Sequence, residues 1–174
     1  MKKLLLGLGV LIPFILIGYG FLGGFNALEF MLNEDPPVYH LLGKAYKGSH
    51  NSEEVTNLFQ ELQAFQTEYR KDSSVTIVSF DQGEDEDNVH YFVAIKLIKG
   101  IDLPEEGFEY REYSPLSILS VRLSGHPVVL PSVEKVIAKT KIYAKENNKQ
   151  LQGYSIETYY PDGTIQVDFP LKVR

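Results

Sequence analysis

Residues 153–172 read Gly-Tyr-Ser-Ile-Glu-Thr-Tyr-Tyr-Pro-Asp-Gly-Thr-Ile-Gln-Val-Asp-Phe-Pro-Leu-Lys, and their alternation decides how the chain folds. Two runs of period two flank Pro161-Asp162-Gly163, whose proline and glycine supply the backbone angles of a tight reversal. In the second run Ile165, Val167, Phe169 and Leu171 share one face, and Gln166, Asp168 and Lys172 share the other. In the first run Ile156, Thr158 and Tyr160 lie on one face, opposite Ser155, Glu157 and Tyr159. Glu157 is therefore a mid-strand carboxylate among tyrosines. Such a group is either a solvated outer-face residue or the polar anchor of a pocket.

The same plan occurs earlier in the chain. Residues 38–46 predict a strand, followed by Lys47-Gly48-Ser49-His50. A helix follows, with Asn51 or Ser52 as its cap and Glu53 and Glu54 in the first turn, where the helix dipole favours negative charge. Val55, Leu58, Phe59, Leu62, Phe65 and Tyr69 form its apolar face. Residues 75–80 and 90–97 predict two strands joined by an acidic loop. The second unit opens with strands at 108–113 and 117–123, then Ser124-Gly125-His126-Pro127. Its helix begins near Pro131-Ser132, proline being suited to a first turn. Val133, Val136, Ile137, Thr140 and Tyr143 match Val55, Leu58, Phe59, Leu62 and Phe65 at a constant offset. The expectation is an α+β fold of tandem β-α-β-β repeats, about 38–100 and 101–174. They join into one largely antiparallel sheet with both helices on one face, which leaves the other face for function.

A chain of 174 residues suits one compact domain plus a short appendage. Its net charge of -6 argues against nucleic acid as a partner, since phosphate contacts need a basic surface. Without cysteine there are no thiol nucleophiles, disulfides or thiolate metal sites. With 11 tyrosines and no tryptophan, an aromatic pocket has to be built from Tyr and Phe.

Met1-Lys2-Lys3 precedes an uncharged stretch, residues 4–25, long enough as a helix to cross a ~30 Å hydrocarbon layer. Acidic Glu29, Glu34 and Asp35 follow it. Nothing near residues 20–27 makes a good small-x-small cleavage site, and a lipoprotein would need a cysteine. The expectation is an N-terminal transmembrane helix, residues 1–26, acting as membrane anchor or uncleaved signal. A link over 27–37 and the folded part over 38–174 follow. The lysine flank places the folded part on the non-cytoplasmic side of a single-pass protein.

With repeat and hairpin in hand, the chain resembles the GyrI-like small-molecule-binding domain, the effector-binding module of AraC-type and multidrug-responsive MerR-type regulators. The likeness rests on residues 103–113, Leu-Pro-Glu-Glu-Gly-Phe-Glu-Tyr-Arg-Glu-Tyr, and on Leu123-Ser124-Gly125-His126-Pro127. It is strongest in Ile156-Glu157-Thr158-Tyr159-Tyr160 running into Val167-Asp168-Phe169-Pro170-Leu171. The resemblance implies a pseudo-twofold sheet with a groove between the repeats, where an acid meets ligands that are often cationic and aromatic. Carried over by position, that acid is Glu157. Tyr159, Tyr110, Tyr113, Tyr46 and Phe92 are the aromatic wall candidates. A carboxylate among rings is partly desolvated, and a hydrophobic cation restores its solvation while stacking on those rings. The resemblance also implies an alternative for some members, hydrolysis of strained electrophilic rings. Glu157 would then be the base and Tyr110, Tyr113 or Tyr159 the acid. A structural or protein-interaction domain is the third reading. The chain departs from the family in carrying no DNA-binding domain and no tryptophan, and in its apolar N-terminal stretch.

Residues 81–88, Asp-Gln-Gly-Glu-Asp-Glu-Asp-Asn, lack the alternating ligand order of a calcium loop and read as a solvated turn. His50 and His126 occupy like places in the two repeats, yet no HxH or HxxxH spacing supports a metal. No phosphate-binding loop or Gly-x-Ser-x-Gly elbow is present. The expectation is accordingly no metal and no cofactor.

Overall fold

The computed structural model describes residues 28–69, 73–80, 89–97, 107–125 and 129–172. Two successive β-α-β-β units make up most of it. The first unit is β2 (Tyr39–Gly48), α1 (Glu53–Tyr69), β3 (Ser74–Phe80) and β4 (Val89–Lys96). The second is β6 (Ile118–Leu123), α2 (Val133–Glu146), β7 (Tyr154–Tyr159) and β8 (Ile165–Pro170). Two further strands, β1 (Phe30–Asn33) and β5 (Glu109–Tyr113), flank the units. All pair antiparallel in one sheet of order β1-β6-β8-β7-β3-β4-β2-β5. β1 falls within the stretch read from sequence as a link and pairs with β6.

Local chemistry explains the elements. The Val55 amide donates to Ser52 Oγ at 3.2 Å, so Ser52 caps α1 while Glu53 and Glu54 lie against its positive end. At the β7–β8 turn, Gly163 has φ of 80°, a left-handed angle that glycine adopts without cost. The Thr164 amide donates to Asp162 Oδ1 at 2.9 Å and closes the reversal.

Both helices lie on one face of the sheet. Leu62 of α1 is fully buried against Leu42, Val93 and Ile95, and Val136 of α2 against Leu119, Val121, Val167 and Phe169. Each such side chain contributes roughly 1.5–3 kcal/mol through burial.

The helix-free face is not vacant. Tyr39, Leu41, Val78, Phe92, Ala94 and Ile156 form a second core there, with Phe80, Tyr113 and Tyr154 packed against it. In a flat sheet β2 and β8, four strand spacings apart, would stand roughly 19 Å from each other. Yet the Tyr39 hydroxyl on β2 donates to Asp168 Oδ2 on β8 at 2.9 Å. The rings of Tyr113 on β5 and Tyr154 on β7 lie 5.8 Å apart. The sheet therefore curls toward this face while staying open, with β1 and β5 as its edges. The expectation that the helix-free face is left over for function is corrected. Curling closes it on itself.

The N-terminal expectation is also corrected. Among the described residues no helix is long and apolar enough to cross a membrane, so a single-pass, membrane-anchored chain with a transmembrane helix is not supported. The membrane partner and the non-cytoplasmic placement, both assigned through residues 1–26, fall with it. The stretch that prompted them lies outside the described residues, as do 81–88 and His126.

Candidate functional site

The two units meet where β3 pairs with β7. Val78 stands opposite Ile156, Ile77 opposite Glu157, and Ser79 opposite Ser155. Val78 and Ile156 belong to the helix-free core, so Ile77, Glu157, Ser79 and Ser155 project to the helix-bearing face. Ser79 and Glu157 are 78 residues apart, the offset that also relates Val55 to Val133. The repeat thus brings two equivalent positions, a serine and a glutamate, together on one floor.

Glu157 is only 4% exposed. Its carboxylate accepts hydrogen bonds from Ser79 Oγ at 3.0 Å and the Tyr159 hydroxyl at 3.1 Å. Burial pushes its pKa up from the usual carboxylate range, and the two donors offset this only in part. Ser155 is wholly buried beside it, and its hydroxyl has no hydrogen-bond partner. Among the described residues two other buried hydroxyls, Thr76 and Thr158, also lack a partner, but they lie on the helix-free face.

Rings surround this floor on two sides. Tyr159 lies edge-on to Phe59 of α1, centroids 5.7 Å apart, and both line a cleft of about 360 Å³ with Gln63, Gln66, Val75 and Tyr160. Burial and the neighbouring Glu157 push the Tyr159 hydroxyl pKa well up. On the other side Tyr91 of β4 has its pKa pushed up to about 12, by burial first and by Glu157 second. Its hydroxyl lies 2.7 Å from His50 Nδ1, and its ring stacks on Tyr46 at 6.3 Å. Glu134, in the first turn of α2, interacts electrostatically with Glu157, Tyr91 and His50. Its own pKa is held down chiefly by the Ser132 hydroxyl.

The six residues singled out from sequence divide. Glu157 and Tyr159 come together, and Tyr46 stands one ring away, its hydroxyl held by Ser49 O and by Ser52 Oγ at 2.5 Å. Tyr110 shares the helix-bearing face but sits on edge strand β5, 2.6 Å from His40 Nδ1. Tyr113 and Phe92 belong to the helix-free core, where the Arg111 guanidinium lies 4.2 Å above the Phe92 ring. Ser79, Tyr91, His50, Phe59 and Glu134 are not singled out for this site by the sequence, and Ser155 is placed by alternation on the face of Glu157 without a role. Applying the repeat offset to Glu157 leads straight to Ser79, so that one was within reach.

A second buried acid, Asp168, lies on the helix-free face. It accepts from Tyr39, from Ser120 Oγ at 2.5 Å and from Gln166 Nε2 at 3.0 Å, so both its oxygens are occupied. It is a closed structural network. Among the described residues no three His, Asp or Glu side chains cluster as metal ligands would.

No family model and no curated relative matches the chain. Solved structures do. The C-terminal domain of EcmrR matches with a TM-score of 0.65 at 12% identity, over 86% of this chain and 100% of that one. SAV2435 bound to tetraphenylphosphonium matches at 0.53 and 12% identity, over 83% and 94%. A hydrolase from Listeria innocua matches at 0.56 and 11% identity, over 84% and 92%. At these identities the likeness establishes the fold alone, an open antiparallel sheet with two helices.

Proposed function

We propose that the protein binds a small cationic or amphipathic aromatic molecule between its two repeats, with Glu157 as counter-charge. One observation carries this reading: Glu157 is nearly fully buried, has only two donors, and holds its proton more tightly than an exposed carboxylate. An acid so placed costs stability when ionised, and a cation arriving beside it recovers that cost as binding energy. Tyr159 and Phe59 offer ring surface to the ligand's apolar part. SAV2435, of the same fold, is a protein bound to the lipophilic cation tetraphenylphosphonium, which is in keeping with the reading.

The test is a thermal-shift screen with aromatic cations, among them tetraphenylphosphonium and 2-phenylethylamine, each beside a neutral analogue. Cations raise Tm of the wild type and not of Glu157→Gln, while neutral analogues raise neither. Equal shifts in both proteins would remove the acid from the site.

A second reading, hydrolysis, is favoured by the Tyr159–Glu157 hydrogen bond, which sets a phenol beside a carboxylate as acid and base. Turnover of a strained electrophile that is lost in both Glu157→Gln and Tyr159→Phe would support it.

A further inference from the structure

The floor around Glu157 is made of oxygen acceptors rather than rings, and this bears on which cation it takes. Resting on the binding reading above, we infer that the site is built for a protonated primary or secondary amine and discriminates against quaternary ammonium and phosphonium ions, with Ser155 as the selecting residue. Ser155, Ser79 and Glu157 all project from one patch of the helix-bearing face. Glu157 is two residues from Ser155 on the same strand and face, and Ser79 stands directly across from Ser155.

Their hydrogen-bond capacities differ in a telling way. The Ser79 proton is committed to Glu157 Oε1, which leaves the Ser79 lone pairs free to accept. The Ser155 hydroxyl is fully buried and makes no hydrogen bond at all. Glu157 carries the charge and takes one donor on each oxygen, from Ser79 and from Tyr159. An N–H-bearing ammonium placed here donates to Ser155, to Ser79 and to the Glu157 carboxylate. Each N–H then meets an acceptor, and the orphan hydroxyl acquires its partner. A quaternary ion offers methyl groups instead. It would leave Ser155 unpaired and would further desolvate Ser79 and Glu157 without replacing their hydrogen bonds.

The unused Ser155 hydroxyl is the observation that singles out an N–H donor. A site relying on charge and rings alone has no use for a hydroxyl at that position, where Ala or Val would leave no buried polar group unpaired. Tyr159, which both lines the cleft beside α1 and bonds Glu157, separates this floor from the ring surface that would receive the ligand's apolar part.

The experiment compares 2-phenylethylammonium with its N,N,N-trimethyl analogue by isothermal titration at pH 7, on the full chain and on Ser155→Ala and Glu157→Gln. The wild type should bind the N–H amine at least about tenfold more tightly, the worth of one good hydrogen bond. Ser155→Ala should bring that ratio to about threefold or less by weakening the amine alone, while its melting temperature stays level or rises because an orphan hydroxyl is gone. Glu157→Gln should weaken both ligands. A wild-type ratio near one, with both ligands still lost in Glu157→Gln, overturns the amine selectivity and leaves the Glu157 reading standing. A ratio unchanged in Ser155→Ala overturns the role of Ser155. Absence of binding by either ligand overturns this inference together with the reading beneath it.

Discussion

Replacing Glu157 by glutamine should make the protein more stable at neutral and alkaline pH, although it removes a hydrogen-bonded side chain from the interior. The folded-state pKa of Glu157 lies above its unfolded value, raised chiefly by burial. Below about pH 4.3 the group is protonated in both states and costs nothing. As pH rises beyond that, the unfolded chain ionises first while the folded chain keeps its proton, so folding stability falls. Above the folded pKa the loss is complete and constant. The effective penalty for burying one charge is several kcal/mol, and each hydroxyl donating to it returns about 1.5–3 kcal/mol. Because the shift is upward with both Ser79 and Tyr159 donating, the penalty exceeds the return. Glutamine keeps an acceptor for Ser79 and offers an amide to the Tyr159 oxygen. The variant should therefore be the more stable protein at pH 8, each kcal/mol gained raising Tm by about 2–4 °C, and the advantage should vanish at pH 4. Urea and thermal melts of both proteins at pH 4, 6 and 8 measure this. A variant less stable at pH 8, or a difference that is flat with pH, would refute the argument that an uncompensated charge is stored here.

Other perturbations probe the scaffold. Asp168→Ala strands the Tyr39 and Ser120 hydroxyls and the Gln166 amide as unpaired donors across the curl, and at about 1–3 kcal/mol for each buried hydroxyl should cost about 2–6 kcal/mol in urea unfolding. A Cβ at Gly43 would lie 2.1 Å from the Val93 carbonyl oxygen and 2.5 Å from Ala94 Cα. Those are backbone atoms of the paired strand, so Gly43→Ala should cost about 3 kcal/mol or more, seen as a lowered denaturant midpoint. Leu62→Ala, at a fully buried position under α1, should cost about 2–5 kcal/mol. Ile142→Ala, on an exposed position of α2, should stay within about 0.5 kcal/mol by the same assay.

Much of this architecture was legible because both repeats write it in local chemistry. The Ser52 cap, the apolar stripe ending at Phe65 and the Pro161-Asp162-Gly163 reversal each act within a few residues. Glu157 and Tyr159 are neighbours on one strand, so their common face follows from alternation alone. What alternation does not tell is which face the helices cover. Tyr113 and Phe92 are strand aromatics like Tyr159, yet curling of the sheet buries them on the opposite side. That curl depends on Tyr39 meeting Asp168 from 129 residues away, and no local pattern encodes such a contact. Tyr110 shares the helix-bearing face, but its strand pairs at the sheet edge, three strands from β3, a placement that alternation does not encode either. The transmembrane expectation uses the hydropathy of residues 4–25, their lysine flank and the lack of a cleavage site, and no described helix is long and apolar enough to cross a membrane.

The most direct measurement follows the Glu157 carboxyl carbon by ¹³C NMR through a pH titration, with and without 2-phenylethylammonium. Glu157 should titrate above the ordinary glutamate range in the free protein, and its pKa should fall when the amine binds because the cation stabilises the ionised form. An ordinary pKa in the free protein, or one that does not move with saturating amine, would contradict it.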